Sequence, residues 1–365
     1  MNKDTEDMCR VGPGTVMGNF MRQYWMPAVM SRELEADGAP LRIMLLGEKL
    51  IAFRDTQGRV GVMDHRCPHR CASLFLGRNE EDGLRCIYHG WKFDVDGNCV
   101  DMPSVPGDQA FKDKVKAKVY RTREANGLIW VYMGDRAEPP PLPFIEPAMA
   151  PDAEVTVSMV LRDCNFVQSL EGDIDTSHFG FLHAGNLDPD NVPEGHPLDH
   201  TATERAPRYN VRDAGWGTSY GAYRDAGKGQ FYWRFANFML PFWTQTPQGE
   251  FDKNVHARAW VPLDDTHTMM VFISWRSDMP NPHRAGWMAE RDHVGELAAA
   301  VRERGMRFGL YYSGGLDWTF NPPPIKDFMS MITNVPSTPE YGDYALAHVD
   351  ELVRRFAPSV LWNDI

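Results

Sequence analysis

No uninterrupted apolar stretch approaches the ~20 residues that a membrane-spanning helix needs, so no membrane partner is expected. The amino-terminal segment MNKDTEDMCRVGPG does not follow its charges with the apolar run of a secretory signal. The cytoplasm is therefore the expected setting. Positive charge is scarce: 38 Lys and Arg stand against 50 Asp and Glu, a formal net charge of -12. So acidic a chain does not suit nucleic acid. Cysteine is scarce too. The six are Cys9, Cys67, Cys71, Cys86, Cys99 and Cys164, which a reducing compartment keeps as thiols or metal ligands.

What is present is ordinary globular composition, 43% hydrophobic and 24% charged over 365 residues, enough for two domains with separate cores. Residues 1–40 read as an arm with a short helix near Met17 to Trp25. From Leu41 the text turns to short strands, LRIMLLG, LIAFRD and RVGVMDH, with KVYRTREANGLIWVYMG supplying two more. Gly and Asp turns between them predict a small antiparallel β domain over 41–137. EPPPLPFIEPAMAP, 138–151, reads as a stiff linker. A second domain follows over 152–280, with aromatic strands WRFANFMLPFW, VHARAWVPLDD and MMVFISWR. Phe235, Phe238, Met239 and Trp243 are candidates to line a pocket there or to pack its core.

Two short pairs carry chemistry. Cys67 and His69 are separated by one residue, Cys86 and His89 by two, and 16 residues lie between the pairs. Each loop offers one thiolate and one imidazole, with Tyr88 and Trp91 flanking the second. That set suits a [2Fe–2S] cluster whose irons take two Cys and two His respectively. Tetrahedral zinc also accepts Cys2His2. Further on, NFVQSLEGDIDTSHFGFLH places Asp175 and His178 three apart, on one face if helical. His183 breaks that register, and Gly180 permits a kink or helix end. Two His and a carboxylate begin a non-haem iron site.

The stretch CPHRCASLFLGRNEEDGLRCIYH resembles the Rieske motif of the aromatic ring-hydroxylating oxygenases, and RQYWMPA, YHGWKFDVDGNC and NGLIWVYMG resemble its flanks. The likeness is to the large-subunit branch that includes phthalate and phenoxybenzoate dioxygenases, from about Cys9 to Arg276. It implies an α+β chain: a small antiparallel β Rieske domain, then a truncated helix-grip catalytic domain. Cys67, His69, Cys86 and His89 would hold the [2Fe–2S] cluster. His178 and His183 would hold mononuclear non-haem Fe(II). Asp175 would link them to a neighbouring subunit's cluster, fixing both rings and shortening the electron path. No disulfide beside the cluster is expected, since the Cys86 loop has no spare Cys.

The family completes its iron site with a carboxylate on a later helix, and no matching segment is found. From about Asp292 the text changes to helix, strand, helix, strand: HVGELAAAVRERG, RFGLYYSG, GDYALAHVDELVRRF and VLWNDI. This β/α fragment, 292–365, resembles the α-L-fucosidases, with Asp364 at the nucleophile position. A barrel needs eight strands, so the chain reads as a hybrid of two genes joined between Asp278 and Asp292.

The resemblance implies a terminal oxygenase component. It would take electrons from an NAD(P)H-dependent reductase or ferredoxin and activate O2 to hydroxylate, dihydroxylate or O-demethylate an aromatic, acidic substrate. It also implies a homotrimer. The alternatives are a Rieske electron-transfer protein with an incomplete, inactive iron site and, third, a glycosidase fragment.

Overall fold

A computed structural model describes residues 2–149, 154–182, 199–248, 255–275, 293–313 and 338–364. The chain forms two compact units, Met1–Ser277 and Asp278–Ile365.

In the first unit, α1 (Lys3–Cys9) and α2 (Val16–Met21) are capped by the side chains of Asn2 and Thr15. The predicted helix near Met17 to Trp25 stops at Met21, and Trp25–Met30 is instead strand β1. Pro27 explains the change. It cannot donate to a helix and disfavours helical backbone at Met26. A sheet edge tolerates it, and β1 pairs with one neighbour only.

β2 (Leu41–Leu45), β3 (Glu48–Arg54) and β4 (Val60–Asp64) follow the expected runs. Next come β5 (Arg78–Glu80), β6 (Gly83–Arg85), β7 (Lys92–Phe93) and β8 (Cys99–Asp101), which form a four-stranded sheet. β9 (Val119–Ala125) and β10 (Leu128–Tyr132) complete a six-stranded antiparallel sheet in the order β1-β10-β9-β4-β3-β2. Asn126 and Gly127 join β9 to β10 with positive φ at both positions, the two-residue turn that suits strand twist.

The second half of this unit is a seven-stranded antiparallel sheet. Its strands are β11 (Val155–Arg162), β12 (Arg208–Ala214), β13 (Gly217–Gly227), β14 (Gln230–Met239), β15 (Trp243–Gln248), β16 (Val255–Pro262) and β17 (Thr268–Trp275). Their order is β11-β17-β16-β15-β14-β13-β12. Helix α3 (Phe166–Ile174) lies on one face: Thr244 Oγ1 donates to Asp173 Oδ2 at 2.6 Å, and Arg258 pairs with the same carboxylate. The other face meets the first sheet. Trp130 of β10 stacks on Trp243 of β15, centroids 5.9 Å apart, and Leu46 N–H donates to Pro262 O at 3.1 Å. Trp130, Trp243 and Leu46 belong to one apolar core with Met26, Ile129, Phe166, Phe242 and Val261. The proline-rich stretch is docked on this core through Leu142 and Ile145, and Trp25 Nε1–H donates to Pro140 O at 2.7 Å.

The second unit has the helix–strand order expected of its text. Helices His293–Glu303 and Pro339–Phe356 accompany the parallel strands Gly309–Ser313 and Val360–Asp364. Ala298, Phe308, Leu352 and Phe356 form its core.

Candidate metal centres

The two ligand loops close in the same way. Cys67 N–H donates to Ala72 O at 2.8 Å, and Cys86 N–H to Trp91 O at 2.9 Å. Four residues past each Cys an amide returns to the Cys carbonyl: Cys71 to Cys67 at 2.9 Å and Gly90 to Cys86 at 3.0 Å. Both returning residues take positive φ, 55° at Cys71 and 76° at Gly90. The second loop is the tip of the β6–β7 hairpin. Arg85 braces it, donating to Gly90 O at 2.8 Å while pairing with Glu80 and Asp101. That pairing, the Arg85 hydrogen bond first, lowers the Asp101 carboxyl below its usual range.

The loops turn sulfur inward and imidazole outward. Cys67 and Cys86 are 1% and 2% exposed, and His69 and His89 are half-buried. Burial, with Cys86 alongside, pushes the Cys67 thiol up to about 11. Two thiolates there need positive charge beside them, which ferric ions supply. The amides of His69 and Arg70 already point at the Cys67 sulfur, as donors that tune a cluster do. The His69 and His89 rings stand 4.5 Å apart, and His69 lies flat on Trp91. Burial first, then His89 and Arg70, lowers the His69 pKa. His89 Nδ1 is buried with no hydrogen-bond partner among the described residues, which is costly unless a metal takes it. Two buried thiols, backbone amides aimed at the Cys67 sulfur and two imidazoles, one with an orphaned Nδ1, make up the two-Cys, two-His set that a [2Fe–2S] cluster takes. The donor set therefore fits the cluster.

Asp175 and His178 are brought together, but not by a shared helix. α3 ends at Ile174, and Asp175 has extended backbone, φ -78° and ψ 126°. Its carboxylate accepts from Ser177 N–H at 2.7 Å and His178 N–H at 3.3 Å. It thus organises the turn leading into α4 (Phe179–Leu182). His178 Nδ1 lies 3.1 Å from Asp175 Oδ2. Gly180 sits buried inside α4, not at a kink, where a Cβ would come 3.1 Å from Arg205 Cγ. His183 lies outside the described residues.

Strand alternation decides the pocket candidates. Phe238 pairs with Thr244 and so shares the α3 face. Trp243 and Met239 pack in the common core, and Phe235 stacks on Trp233 on the opposite face. Three residues with no sequence motif of their own also reach the α3 face: Tyr220, Arg224 and Arg234. Ala222 pairs with Arg234 and Arg224 with Tyr232, so the two arginines are diagonal neighbours. Arg224 is 1% exposed. Burial first, then Arg234, pulls its pKa below the usual arginine range. Arg234 lies 5.0 Å over the Phe179 ring, with Nε and Nη1 buried and unpartnered among the described residues. The available signal was charge in the phase of β13 and β14 that also carries Thr218, Ala222, Tyr232, Ala236 and Phe238.

The family model of the Rieske [2Fe-2S] domain matches residues 24–118, and that described as LigXa C-terminal domain like matches 131–298. The α-L-fucosidase model matches 270–365. The chain is 54% identical over 275 residues to the 3-chlorobenzoate-3,4-dioxygenase oxygenase subunit of Comamonas testosteroni, covering 75% of this chain and 63% of that one. It is 30% identical over 325 residues to phenoxybenzoate dioxygenase subunit alpha of Ectopseudomonas oleovorans, covering 85% and 71%. The chain thus spans less than two thirds of the length of the first of these relatives. In structure it is similar to the terminal oxygenase of carbazole 1,9a-dioxygenase from Nocardioides aromaticivorans IC177, with a TM-score of 0.55, 20% identity and 82% of each chain covered. Sequence, cluster loops and fold agree: the chain belongs to the Rieske aromatic ring-hydroxylating oxygenases.

Proposed function

We propose that this chain is the oxygenase component of a Rieske non-haem iron system acting on an aromatic acid. The observation that carries the reading is the donor set Cys67, His69, Cys86 and His89, with an orphaned buried Nδ1 on His89. Cys67, His69, Cys86 and His89 would hold the cluster, and His178 and His183 would hold Fe(II); these groups would supply single-electron transfer from an NAD(P)H-dependent reductase or ferredoxin and O2 activation. Within the chain, Asp175 bonds His178 Nδ1, which would fix the ring and leave Nε2 as the atom to hold a metal. Asp175 Oδ1 accepts one amide, so a lone pair remains for a cluster imidazole of a neighbouring subunit. Such a route would run between subunits of a homotrimer, as the family resemblance implies. Phe179 and Phe238 offer apolar contact to a ring, and Arg234 offers buried N–H donors to a carboxylate. The relatives named for chlorobenzoate and phenoxybenzoate act on ring acids, which supports this choice. No helix among the described residues is long and apolar enough to cross a membrane, and a cytoplasmic setting is part of the proposal.

Iron analysis with electron paramagnetic resonance tests it. About three irons per chain and a low-field signal from a His-ligated cluster are expected, together with reductase-dependent oxidation of an aromatic acid. About two irons per chain without turnover leaves an electron-transfer protein; a colourless zinc protein removes the reading.

A further inference from the structure

The two backbone carbonyls that flank Asp175 are both held by one strand. Tyr220 Oη–H donates to Ile174 O, and Arg224 Nη2–H donates to Thr176 O at 3.5 Å. Tyr220 and Arg224 are four apart on β13, so they project from the same face. Ile174 ends α3, and its carbonyl is one of those a helix leaves without an internal partner. Tyr220 meets that need. Arg224 takes hold again two residues later, and Asp175 is left between two anchored peptides.

Fold stability alone does not account for Arg224. Its guanidinium is buried, yet its partners are carbonyls: Thr176 O, and Glu204 O at 2.8 Å from Nε. Nη1 has no partner among the described residues. The Glu204 charge acts on it through space, but no carboxylate hydrogen-bonds it among the described residues; a buried charge so held costs stability, and an apolar side chain of similar size would avoid that cost. What arginine supplies is a planar fork that binds two carbonyls in fixed directions. Here the fork ties the segment after Asp175 to Glu204, just past helix α5 (Asp199–Thr203). Charge also gathers around the spot, since Tyr220 is within electrostatic reach of Asp175, Tyr209, Arg224 and Arg234.

We propose that Tyr220 and Arg224 are positioning residues that hold the Asp175 carboxylate in register with His178, an assignment that rests on the iron-site reading above. The two side chains act on the backbone before and after Asp175, not on metal or substrate. The turn it organises would keep its shape from the sheet rather than from α3.

Hydrogen–deuterium exchange of the full chain tests this without requiring turnover. Tyr220→Phe removes one hydroxyl and keeps the ring. The amides of Ser177 and His178, which donate to Asp175, are expected to exchange about ten-fold faster, with β13–β14 amides unchanged. Arg224→Lys keeps the charge, loses the fork, and is expected to give the same local loss. Exchange at Ser177 and His178 within about two-fold of wild type in both variants overturns the proposal, as does a loss spread evenly over the β13–β14 sheet. Absence of aromatic-acid oxidation by the wild-type protein would overturn only the oxygenase reading and leaves the exchange result standing. Where turnover is present, Tyr220→Phe should lower kcat with KM unchanged.

Discussion

The imidazole of His69 lies parallel to the indole of Trp91, ring centroids 4.1 Å apart and planes 7° apart. Trp91 is fixed in turn by Phe111 at its edge and by a bond from its Nε1–H to Ser104 Oγ at 3.2 Å. One outward face of the cluster site is therefore covered by a side chain 4% exposed.

Replacing Trp91 by Leu should raise the cluster's reduction potential. Water admitted beside His69 solvates the reduced form, which carries one more negative charge, better than the oxidised form. Protein-film voltammetry reads the shift. A more negative potential would show that the indole acts in some way other than exclusion of water.

Cys71 takes left-handed backbone at the place where the other loop has Gly90. A non-glycine residue there costs roughly 1–2 kcal/mol, partly offset by the greater chain entropy of glycine. Cys71→Gly should therefore raise stability by up to about 1 kcal/mol in denaturant titration. It should also keep full cluster absorbance, since Cys71 is not in the proposed ligand set. Cys67→Ala should lose the absorbance altogether.

Glu48 sits among Arg22, Lys118 and Tyr120, bonded at 2.7, 2.7 and 2.5 Å. Burial alone would raise its pKa. The bonds from Lys118 and Tyr120 and the charge of Arg22 outweigh burial and leave it below the usual 4.5. A carboxyl lowered on folding contributes stability above its unfolded pKa and loses it as pH falls through the folded one. Thermal midpoints should accordingly fall as pH drops below about 4.5, and Glu48→Gln should flatten that slope while lowering the midpoint at pH 7.

Trp130 is 1% exposed and joins the two sheets of the first unit through Trp243. Trp130→Ala should cost about 3–5 kcal/mol. Because the core is continuous, both halves should unfold in one calorimetric transition. Separate transitions for the cluster half and the seven-stranded half would show that the contact carries little energy.

The cluster half was legible because its information is local. Each strand of LRIMLLG, LIAFRD and NGLIWVYMG is bounded by a turn residue, and the ligand pairs sit on loops that close within six residues of each Cys. The seven-stranded half was less so. Whether Phe235 or Phe238 faces α3 depends on strand phase, and β14 carries a register shift between Phe235 and Asn237 on its β15 side. The spacing of Asp175 and His178 fits a helix as well as the turn they adopt, and spacing alone cannot tell the two apart. Tyr220, Arg224 and Arg234 have meaning only once β13 and β14 are laid beside α3 and α4. No motif marks them.

Under the proposed function Asp175 would be at once a wire and a hinge pin. The carboxylate assigned to electron transfer also starts the turn that carries His178, through the amides of Ser177 and His178. Substituting it therefore changes two properties together, and a single inactive variant cannot say which was lost. Asparagine retains turn-forming ability and drops the charge, whereas alanine drops both. If Asp175→Asn keeps the exchange protection of the turn yet slows cluster re-oxidation as much as Asp175→Ala does, conduction was the property lost. If only alanine slows it, the residue's first duty is to the shape of the chain.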